Sequence, residues 1–219
     1  MPSDLQTIET DSLGQCWLRA SRLILTHGRP GRYDGAAIVE VAHLSLVIRD
    51  PDPNDAFIRR HGDPAWLQWM HDNFFVQKPV AELGDADSYA VRLFNYARAG
   101  RDQLQWVVDR LRHDPESRSA AITTFQPLTD TSYIPCISLL DFWLPGGAVE
   151  LVVYAHSLDF GKKAYGNLIE LAALQALVAA QLERKPGRLI IHVKSAHIYE
   201  PEREAMERLV MAEDVMQAG

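Results

Sequence analysis

The chain has 219 residues, of which 47% are hydrophobic and 23% charged, a composition typical of a globular protein rather than a disordered or collagenous one. Its formal net charge of −7 leaves no basic footprint for duplex DNA, so we expect no nucleic-acid partner. No run of 18 apolar residues occurs, and the acidic start MPSDLQTIETDSLG lacks the apolar core of a secretion signal. We therefore expect a cytoplasmic protein with no membrane partner.

The first half of the chain alternates helical and extended patterns. Apolar side chains at helical spacing predict a helix over 13–27 that ends at Gly28. The turn-rich segment GRPGRYDG then predicts a loop that carries Arg29 and Arg32. Further along, the patterns predict a strand over 36–49, a short helix that begins at Pro64, and an amphipathic helix over 101–114.

The second half predicts a sheet packed against one long apolar helix. The helix covers 165–183 and is apolar nearly all round, so it should be buried. Pro145-Gly146-Gly147 joins two of the predicted strands as a hairpin. The order of elements predicts an α+β fold with a mainly antiparallel or mixed sheet, in one domain over 1–219. The remaining elements are strands over 119–125, 136–144, 148–157 and 188–199, and a closing helix over 201–216.

Several polar residues lie where strands or helices begin or end. Cys136 follows Pro135 at the mouth of an apolar strand, where it is either a small core residue or a thiolate nucleophile. Asn167, near the start of the long helix, either caps that helix or presents a donor and an acceptor to a ligand. His197 and Tyr199 flank Ile198, so both point to one face of their strand. The sequence lacks the P-loop, GxGxxG, HExxH, CxxC and GxSxG motifs, and we expect no metal.

An anion site is a further hypothesis, because arginines can bind an anionic small molecule in spite of the acidic total. Its candidates are Arg29, Arg32, Arg118 and His156, although each of them alone is typical of a solvated surface.

Taken together, these motifs resemble a known family. The segment YIPCISLLDFWLPGGAVELVVYAHSLDFGKKAYGNLIELAALQALVA resembles the core of thymidylate synthases and related nucleotide hydroxymethylases, which read Pro-Cys, a strand hairpin, Tyr-Gln-Arg-Ser-x-Asp and then Asn. The later Ser195-Ala-His197-Ile-Tyr199 resembles the family's Asp-Ala-His-x-Tyr. Upstream, DPESRS and Tyr89-Ala-Val-Arg92 resemble two further family segments. The likeness is good over roughly 85–215 and poor before that.

The resemblance implies a fold, a chemistry and a set of roles. The fold would be thymidylate synthase-like, and the protein an obligate homodimer that pairs through its sheet. The reaction would transfer a one-carbon unit from 5,10-methylene-tetrahydrofolate to C5 of a pyrimidine nucleotide, with uridylate favoured, through a Cys136 thiolate that adds at C6. Tyr89 would assist proton removal at C5. The nucleotide would contact Arg29 or Arg32, Arg118, His156, Ser157, Asn167, His197 and Tyr199, and the folate would contact Asp159, Trp66 and Trp69.

The sequence also departs from the family pattern. In the helix that matches the family's Glu-Leu-Leu-Trp, Trp66 stands where the general-base Glu is expected, and a Trp cannot shuttle protons. His156 replaces a phosphate-binding Arg, and Lys163 replaces a Gly near the folate. Glu40, Asp72, Glu82, Asp85 and Asp87 are the acidic residues that could take over from the missing Glu.

Three hypotheses about function follow. The first is methylation or hydroxymethylation at C5 of a pyrimidine nucleotide. The second is a diverged relative that uses the same cysteine for non-standard nucleotide chemistry in a specialised pathway, because the Glu is lost. The third is a non-enzymatic nucleotide-binding or structural dimer, against which the retained Pro135-Cys136 argues.

Overall fold

The computed structural model describes residues 6–131 and 133–218, with side chains to residue 213. Part of the acidic start, residues 1–5, lies outside the described residues, as does Gly219. The helices are Leu13–His27 (α1), Ala56–His61 (α2), Pro64–Phe75 (α3), Tyr89–Phe94 (α4), Gln103–His113 (α5), Ala164–Gln181 (α6) and Glu200–Ala218 (α7). The strands are Gln6–Thr10 (β1), Arg29–Tyr33 (β2), Ala36–Ile48 (β3), Pro79–Val80 (β4), Ala86–Asp87 (β5), Ala121–Thr123 (β6), Ile137–Trp143 (β7), Val149–Asp159 (β8) and Pro186–Tyr199 (β9).

A mixed sheet of seven strands forms the centre of the molecule. Its order is β1-β3-β9-β8-β7-β6, with β2 paired to β3. The β1–β3 and β8–β9 pairs are parallel, and the other pairs are antiparallel. The α+β class and the mixed sheet are therefore confirmed. The predicted hairpin is also confirmed, since β7 and β8 pair across Pro145–Gly147.

Local chemistry explains where the helices begin and end. The Ser12 side chain accepts a hydrogen bond from the backbone of Gln15 at the start of α1, and Gly28 ends that helix. Asp63 caps α3 in the same way, with Pro64 at its first position. Helix α6 is buried along most of its length, as its all-round apolar sequence predicts. It packs against β8, β9, α1 and α3, so its first turn is held rigidly at the ends of the strands.

One predicted loop is wrong. The segment Arg29–Tyr33 is strand β2, which pairs antiparallel with β3 from Arg29↔Glu40 to Tyr33↔Ala36. The turn signal belongs to Asp34 and Gly35 alone, both of which have positive φ. Gly31 and Pro30 are tolerated in this strand because it lies at the edge of the sheet, off its main path.

The sheet has one face covered by helices and one face with exposed apolar side chains. Leu139 and Trp143 on β7 are 41% and 39% exposed, and Tyr154 on β8 is 42% exposed. Leu139 and Tyr154 are direct cross-strand partners, and Trp143 lies on the same face of β7, four residues from Leu139, so the three side chains belong to one patch of this face. A patch of this kind on a globular protein indicates an interaction surface.

Candidate active site

A cleft of about 930 Å³ opens where β8 and β9 meet the start of α6. It has the size of a pocket for a small organic ligand. Its walls combine the polar ends of these elements with the β2–β3 turn and the short turn Ala81–Leu83. The predicted site residues that line it are Cys136, His156, Ser157, Asp159, Asn167, His197 and Tyr199.

Cys136 is half-buried and lies immediately before β7, next to an irregularity in the β7–β8 pairing. A bulge of this kind re-aims a side chain, which explains how a residue in a buried strand pair reaches the cleft. The Ser157 hydroxyl donates a hydrogen bond to the Cys136 sulfur at 3.4 Å. On the backbone, His156 N–H donates to the Cys136 carbonyl at 2.9 Å. The alternative that Cys136 is a small residue of the hydrophobic core is therefore wrong.

The second cysteine, Cys16, contrasts with Cys136. It is fully buried in α1, and burial raises the pKa of its thiol to about 12. A thiol in such surroundings is chemically inert, because the thiolate is the reactive form.

Two tyrosines that the sequence analysis missed lie beside the Cys136–Ser157 pair. The Tyr33 hydroxyl is 3.5 Å from Ser157 Oγ, and Tyr133 lines the same cleft, near enough to Cys136 for the thiol to contribute to the raised pKa of the tyrosine. Burial raises the pKa of both tyrosines, so both hydroxyls stay neutral and can donate. A sulfur surrounded by hydroxyl donors can accumulate negative charge in the cleft. No local motif marks either tyrosine in the sequence.

Tyr89 does not line the cleft but lies directly behind it. It is 5% exposed and its ring packs on Phe74, with ring centroids 4.5 Å apart. Its hydroxyl oxygen accepts a hydrogen bond from the backbone N–H of Ile137 at 3.0 Å, one residue after Cys136. Tyr89 therefore fixes the backbone that carries the sulfur, and its own proton remains available to donate.

Asn167 and Lys163 present polar groups from the first turn of α6. Lys163 is the residue that precedes the helix and makes no side-chain capping bond, and Asn167 lies four residues later. Asn167 is 6% exposed and lines the cleft, and among the described residues its side chain has no hydrogen-bond partner. The capping role for Asn167 is therefore wrong, which leaves its amide free for a ligand.

His197 has both ring nitrogens buried without a hydrogen bond of normal geometry to any described residue. Its ring lies between Tyr33 and Tyr199, at centroid distances of 5.3 Å and 5.0 Å. Burial lowers the pKa of His197, so the neutral ring offers one donor and one acceptor. Ile198, between His197 and Tyr199 on β9, is fully buried in the core, as the alternation of side chains along a strand requires. A ligand hydroxyl, which both donates and accepts, would satisfy this histidine.

Asp159 ends β8 at the other side of the cleft. Burial, together with the nearby Glu202 carboxylate, raises the pKa of Asp159 to about 6. Its Oδ1 accepts from the backbone of Gly161 at 3.0 Å, and the positive charge of Lys163 partly opposes the shift. The group can therefore exchange a proton close to neutral pH.

A cationic corner lies at the opposite end of the cleft, towards the open face of the sheet. His156 and Lys194, on the adjacent strands β8 and β9, both line it. Burial and the charge of Lys194 lower the pKa of His156. Lys194 therefore supplies the positive charge at this end. The alternation of polar residues along β9 is a signal that could have identified it.

The three predicted anion-binding arginines lie outside the cleft of their own chain. Arg29 and Arg32 are exposed on β2, and Arg32 Nη2 donates to the carbonyl of Gly35 at 2.5 Å. Arg118 is exposed and donates to the carbonyl of Glu116 at 3.1 Å. The β2–β3 turn instead contributes Tyr33 and Asp34 to the lining.

Trp66 and Trp69 lie on α3 with their rings edge to face, 5.5 Å between centroids. Neither lines the cleft itself, but they support a lysine that does. Lys163 Nζ is 5.7 Å from each of the two ring centroids, and Lys162 Nζ is 4.5 Å from that of Trp66. These distances are typical of cation–π contacts.

Among the five acidic residues considered as substitutes for the missing Glu, Glu82 lines the cleft. Asp72 instead binds Gln68 and Lys78. Glu40 accepts from Ser195 Oγ at 2.6 Å. Asp85 and Asp87 face a separate depression.

Within residues 6–131 and 133–218, no group of three or more His, Cys, Asp or Glu side chains is arranged to hold a metal ion. In the same part of the chain, no helix combines the length and apolar character needed to cross a membrane.

Comparison with known proteins places the amino-acid sequence in a family. A family model described as thymidylate synthase matches residues 40–217. The chain belongs to the thymidylate synthase family. Membership supports a transferase that moves a one-carbon unit from methylene-tetrahydrofolate to a pyrimidine.

Two curated relatives from Methanosarcina match this chain over nearly their whole length, and a third relative from another organism matches over less of its own. Proteins named "Putative thymidylate synthase" from Methanosarcina mazei and Methanosarcina barkeri are 30% and 29% identical over 208 residues, which is 93% of this chain and 94% of theirs. The thymidylate synthase of Mycoplasma genitalium is 28% identical over 184 residues, 73% of this chain and 63% of its own. The resemblance to thymidylate synthases is therefore confirmed at the level of the family.

Proposed function

We propose that this thymidylate synthase family protein transfers a one-carbon unit to C5 of a pyrimidine nucleotide, with a uridylate as the preferred substrate. One observation carries the proposal: the half-buried sulfur of Cys136, which accepts a hydrogen bond from Ser157, shares a cleft with the side-chain amide of Asn167, which has no partner among the described residues. This combination supplies a nucleophile for the ring and a group that reads its edge.

The Asn167 amide selects the base. Uracil presents an acceptor at O4 next to a donor at N3–H, and an amide offers the matching N–H and C=O groups in one plane. Since α6 holds Asn167 rigidly and no described residue competes for its side chain, the amide is available to the base. Neutral His197, with Tyr199 beside it, binds a hydroxyl of the sugar.

The phosphate occupies the corner of Lys194 and His156. Lys194 contributes the charge and His156 donates a hydrogen bond, while Ser157 contacts the phosphate and gives its one hydroxyl proton to the Cys136 sulfur. Arg118 reaches the phosphate from the neighbouring subunit of a homodimer, since it is exposed outside its own cleft. The two subunits pair through the patch formed by Leu139, Trp143 and Tyr154.

Cys136 activates the ring. Its sulfur forms a bond to C6, the C5=C6 electron pair shifts towards C4, and the negative charge collects on O4. Carbon 5 then becomes nucleophilic enough to attack a one-carbon donor, so covalent addition replaces one difficult step with two easier ones. Ser157 and Tyr133 hold the thiolate before attack, and Tyr89 fixes the backbone behind it.

The residues present fit a folate. Methylene-tetrahydrofolate supplies the one-carbon unit. The cleft has room beyond a nucleotide's base, and the Asp159 carboxyl at its folate end accepts hydrogen bonds from N–H donors once ionised. Trp66 and Trp69 support this end through Lys163. Asp159, with its pKa of about 6, can take and return a proton here, and Asp34 and Glu82 are the other carboxyl side chains among the residues that line the cleft.

The test uses the full chain with methylene-tetrahydrofolate and each of dUMP, UMP, dCMP and CMP, labelled with tritium at C5. We expect release of tritium from a uridylate, loss of release in Cys136→Ser, and retention in Cys16→Ala, the matched control at the inert thiol. Absence of release from all four nucleotides would overturn the proposal.

One observation favours a second candidate, a diverged enzyme that performs a different reaction on the nucleotide. At the position of the family's Glu, Trp66 contacts two lysines instead of supplying a carboxylate. If this candidate is right, the nucleotide should bind in the same cleft but give no folate-dependent product. Trp66→Glu should then show no gain of turnover.

A further inference from the structure

Lys163 is a cationic side chain in the cleft for which the family pattern provides no role. It lines the cleft together with Asn167 and Asp159, and its positive charge acts on the Asp159 carboxyl. Lys163 and Asn167 are four residues apart at the start of α6, and Asn167 N–H donates to the Lys163 carbonyl at 3.0 Å. Residues at this spacing share one face of a helix, so the two side chains address the same region of the cleft.

The ammonium is also positioned. Lys163 Nζ lies 5.7 Å from the centroids of both Trp66 and Trp69. The negative faces of two indole rings attract a cation and restrict where it can go. On the side of α3, the ammonium therefore faces aromatic rings and not a carboxylate. The nearby carboxylate is that of Asp159, whose pKa is lowered by the charge of Lys163. The charge is therefore not neutralised by an ion pair with an acidic residue of α3.

We propose that the Lys163 ammonium stabilises the negative charge that collects on O4 when Cys136 adds to the ring. This role for Lys163 rests on the proposed function, in which O4 lies at the Asn167 amide. A cation one helical turn before that amide, together with the positive end of the α6 dipole, lies where this charge develops. The site thereby gains, at a position where the family has a Gly, direct electrostatic stabilisation of the enolate.

The atoms balance without a folate. The Cys136 sulfur bonds to C6 and the displaced electron pair resides on O4. The enolate takes a deuteron from D₂O at C5, loses its original C5 proton to solvent, and expels the Cys136 thiolate as the C5=C6 bond re-forms. The net change is replacement of hydrogen by deuterium at C5, which removes the H5 proton resonance of the nucleotide.

The experiment follows H5 exchange in D₂O by NMR for dUMP and UMP without folate, alongside tritium release with folate. The variants are Lys163→Met, Lys163→Arg and the matched control Lys162→Met, since Lys162 also lies over Trp66 but does not line the cleft. We expect Lys163→Met to slow both reactions by about 10²-fold, the scale of losing one preorganised oxyanion donor. Lys163→Arg should recover part of the rate, and Lys162→Met should match the unaltered chain. Nucleotide affinity, measured by calorimetry, should change far less than the rate and confirms that the variants fold.

The outcomes separate this inference from the proposed function. If the unaltered chain exchanges H5 and Lys163→Met exchanges it equally fast, the role of Lys163 is refuted and the proposed function stands. If Lys163→Met loses only the folate-dependent reaction, the lysine serves the folate and the inference is again refuted. If the unaltered chain shows neither exchange nor tritium release, the proposed function fails and this inference fails with it.

Discussion

The hydroxyl of Ser157 donates to the sulfur of Cys136 at 3.4 Å across the junction of β7 and β8. This bond joins the residue proposed to attack the base with a residue proposed to bind the phosphate. Binding of a phosphate at Ser157 therefore changes the hydrogen bonding of the Cys136 thiol. The Tyr33 hydroxyl, at 3.5 Å from Ser157 Oγ, extends this chain of polar groups.

Replacement of Cys136 tests this relationship most directly. We expect Cys136→Ser to lose tritium release and H5 exchange entirely, because a serine hydroxyl is a far weaker nucleophile at neutral pH. Calorimetric affinity for the nucleotide should persist, since Asn167, His197 and Lys194 remain. Loss of binding in this variant would show that the serine substitution disturbs the cleft rather than the chemistry.

Asn167→Asp should alter the choice of base. An ionised carboxylate accepts from the exocyclic amine of cytosine but cannot donate to O4 of uracil. We expect kcat/KM for uridylate to fall and the ratio of cytidylate to uridylate turnover to rise, as measured with labelled substrates in competition. An unchanged ratio would contradict the role of Asn167 in reading the base.

Lys194 should matter for the phosphate alone. We expect Lys194→Met to raise KM for the nucleoside monophosphate while leaving binding of the corresponding nucleoside unchanged, because the nucleoside lacks the group that this lysine binds. Lys185→Met, outside the residues that line the cleft, is the control. Equal weakening of nucleotide and nucleoside binding would place Lys194 elsewhere in recognition.

The raised pKa of Asp159 makes a prediction about stability. Its pKa is about 6 in the folded chain, above the ordinary value of 3.8, so the folded state retains the proton longer than the unfolded state. The free energy of unfolding of the unaltered chain, relative to Asp159→Asn, should therefore fall by about 2 kcal/mol between pH 4 and pH 6 and level off above about pH 7. Urea unfolding across this range measures the difference, and a difference that rises with pH would contradict the shift.

Arg92 predicts a structural cost. It is 3% exposed and forms two hydrogen bonds with Asp130, at 2.7 Å and 2.9 Å, which join α4 to the turn at Asp130. Arg92→Leu leaves a buried carboxylate unpaired, and we expect a loss of about 3–5 kcal/mol in denaturant unfolding. Arg98→Leu breaks an exposed pair with Asp87 and should leave the unfolding midpoint nearly unchanged.

The sheet patch predicts the state of assembly. We expect light scattering to show a dimer for the unaltered chain and a monomer for Trp143→Glu, because a buried unpaired charge opposes association. Trp106→Glu, at a tryptophan that is 47% exposed on α5, should remain dimeric. A monomeric unaltered chain would contradict pairing through this surface.

Sequence patterns predicted the structure correctly where neighbouring residues in the chain determine it. The periodicity of 13–27 and of the long helix α6 matches the structure within two residues at each end, and the alternation around Ile198 places His197 and Tyr199 in the cleft. The motifs around Cys136 and Asn167 likewise identified two residues that the fold brings together.

The features that the sequence did not reveal depend on distant pairing. Strand β2 is an exception, because it pairs locally with β3 across the two-residue turn Asp34-Gly35 and looks like a loop only because Pro30 and Gly31 disfavour a strand. Tyr33, Tyr133 and Lys194 belong to three separate segments and meet only in the folded chain. Arg29 and Arg32 were assigned to the site by chain position, but their strand turns them to solvent.

The difference between the two cysteines has a practical consequence. Because Cys16 is sealed in the core while Cys136 opens to the cleft, an alkylating reagent or a thiol-reactive fluorophore should modify the native protein at a single atom. Intact mass would then report one adduct per chain, and protection from labelling would follow occupancy of the cleft without any engineered handle.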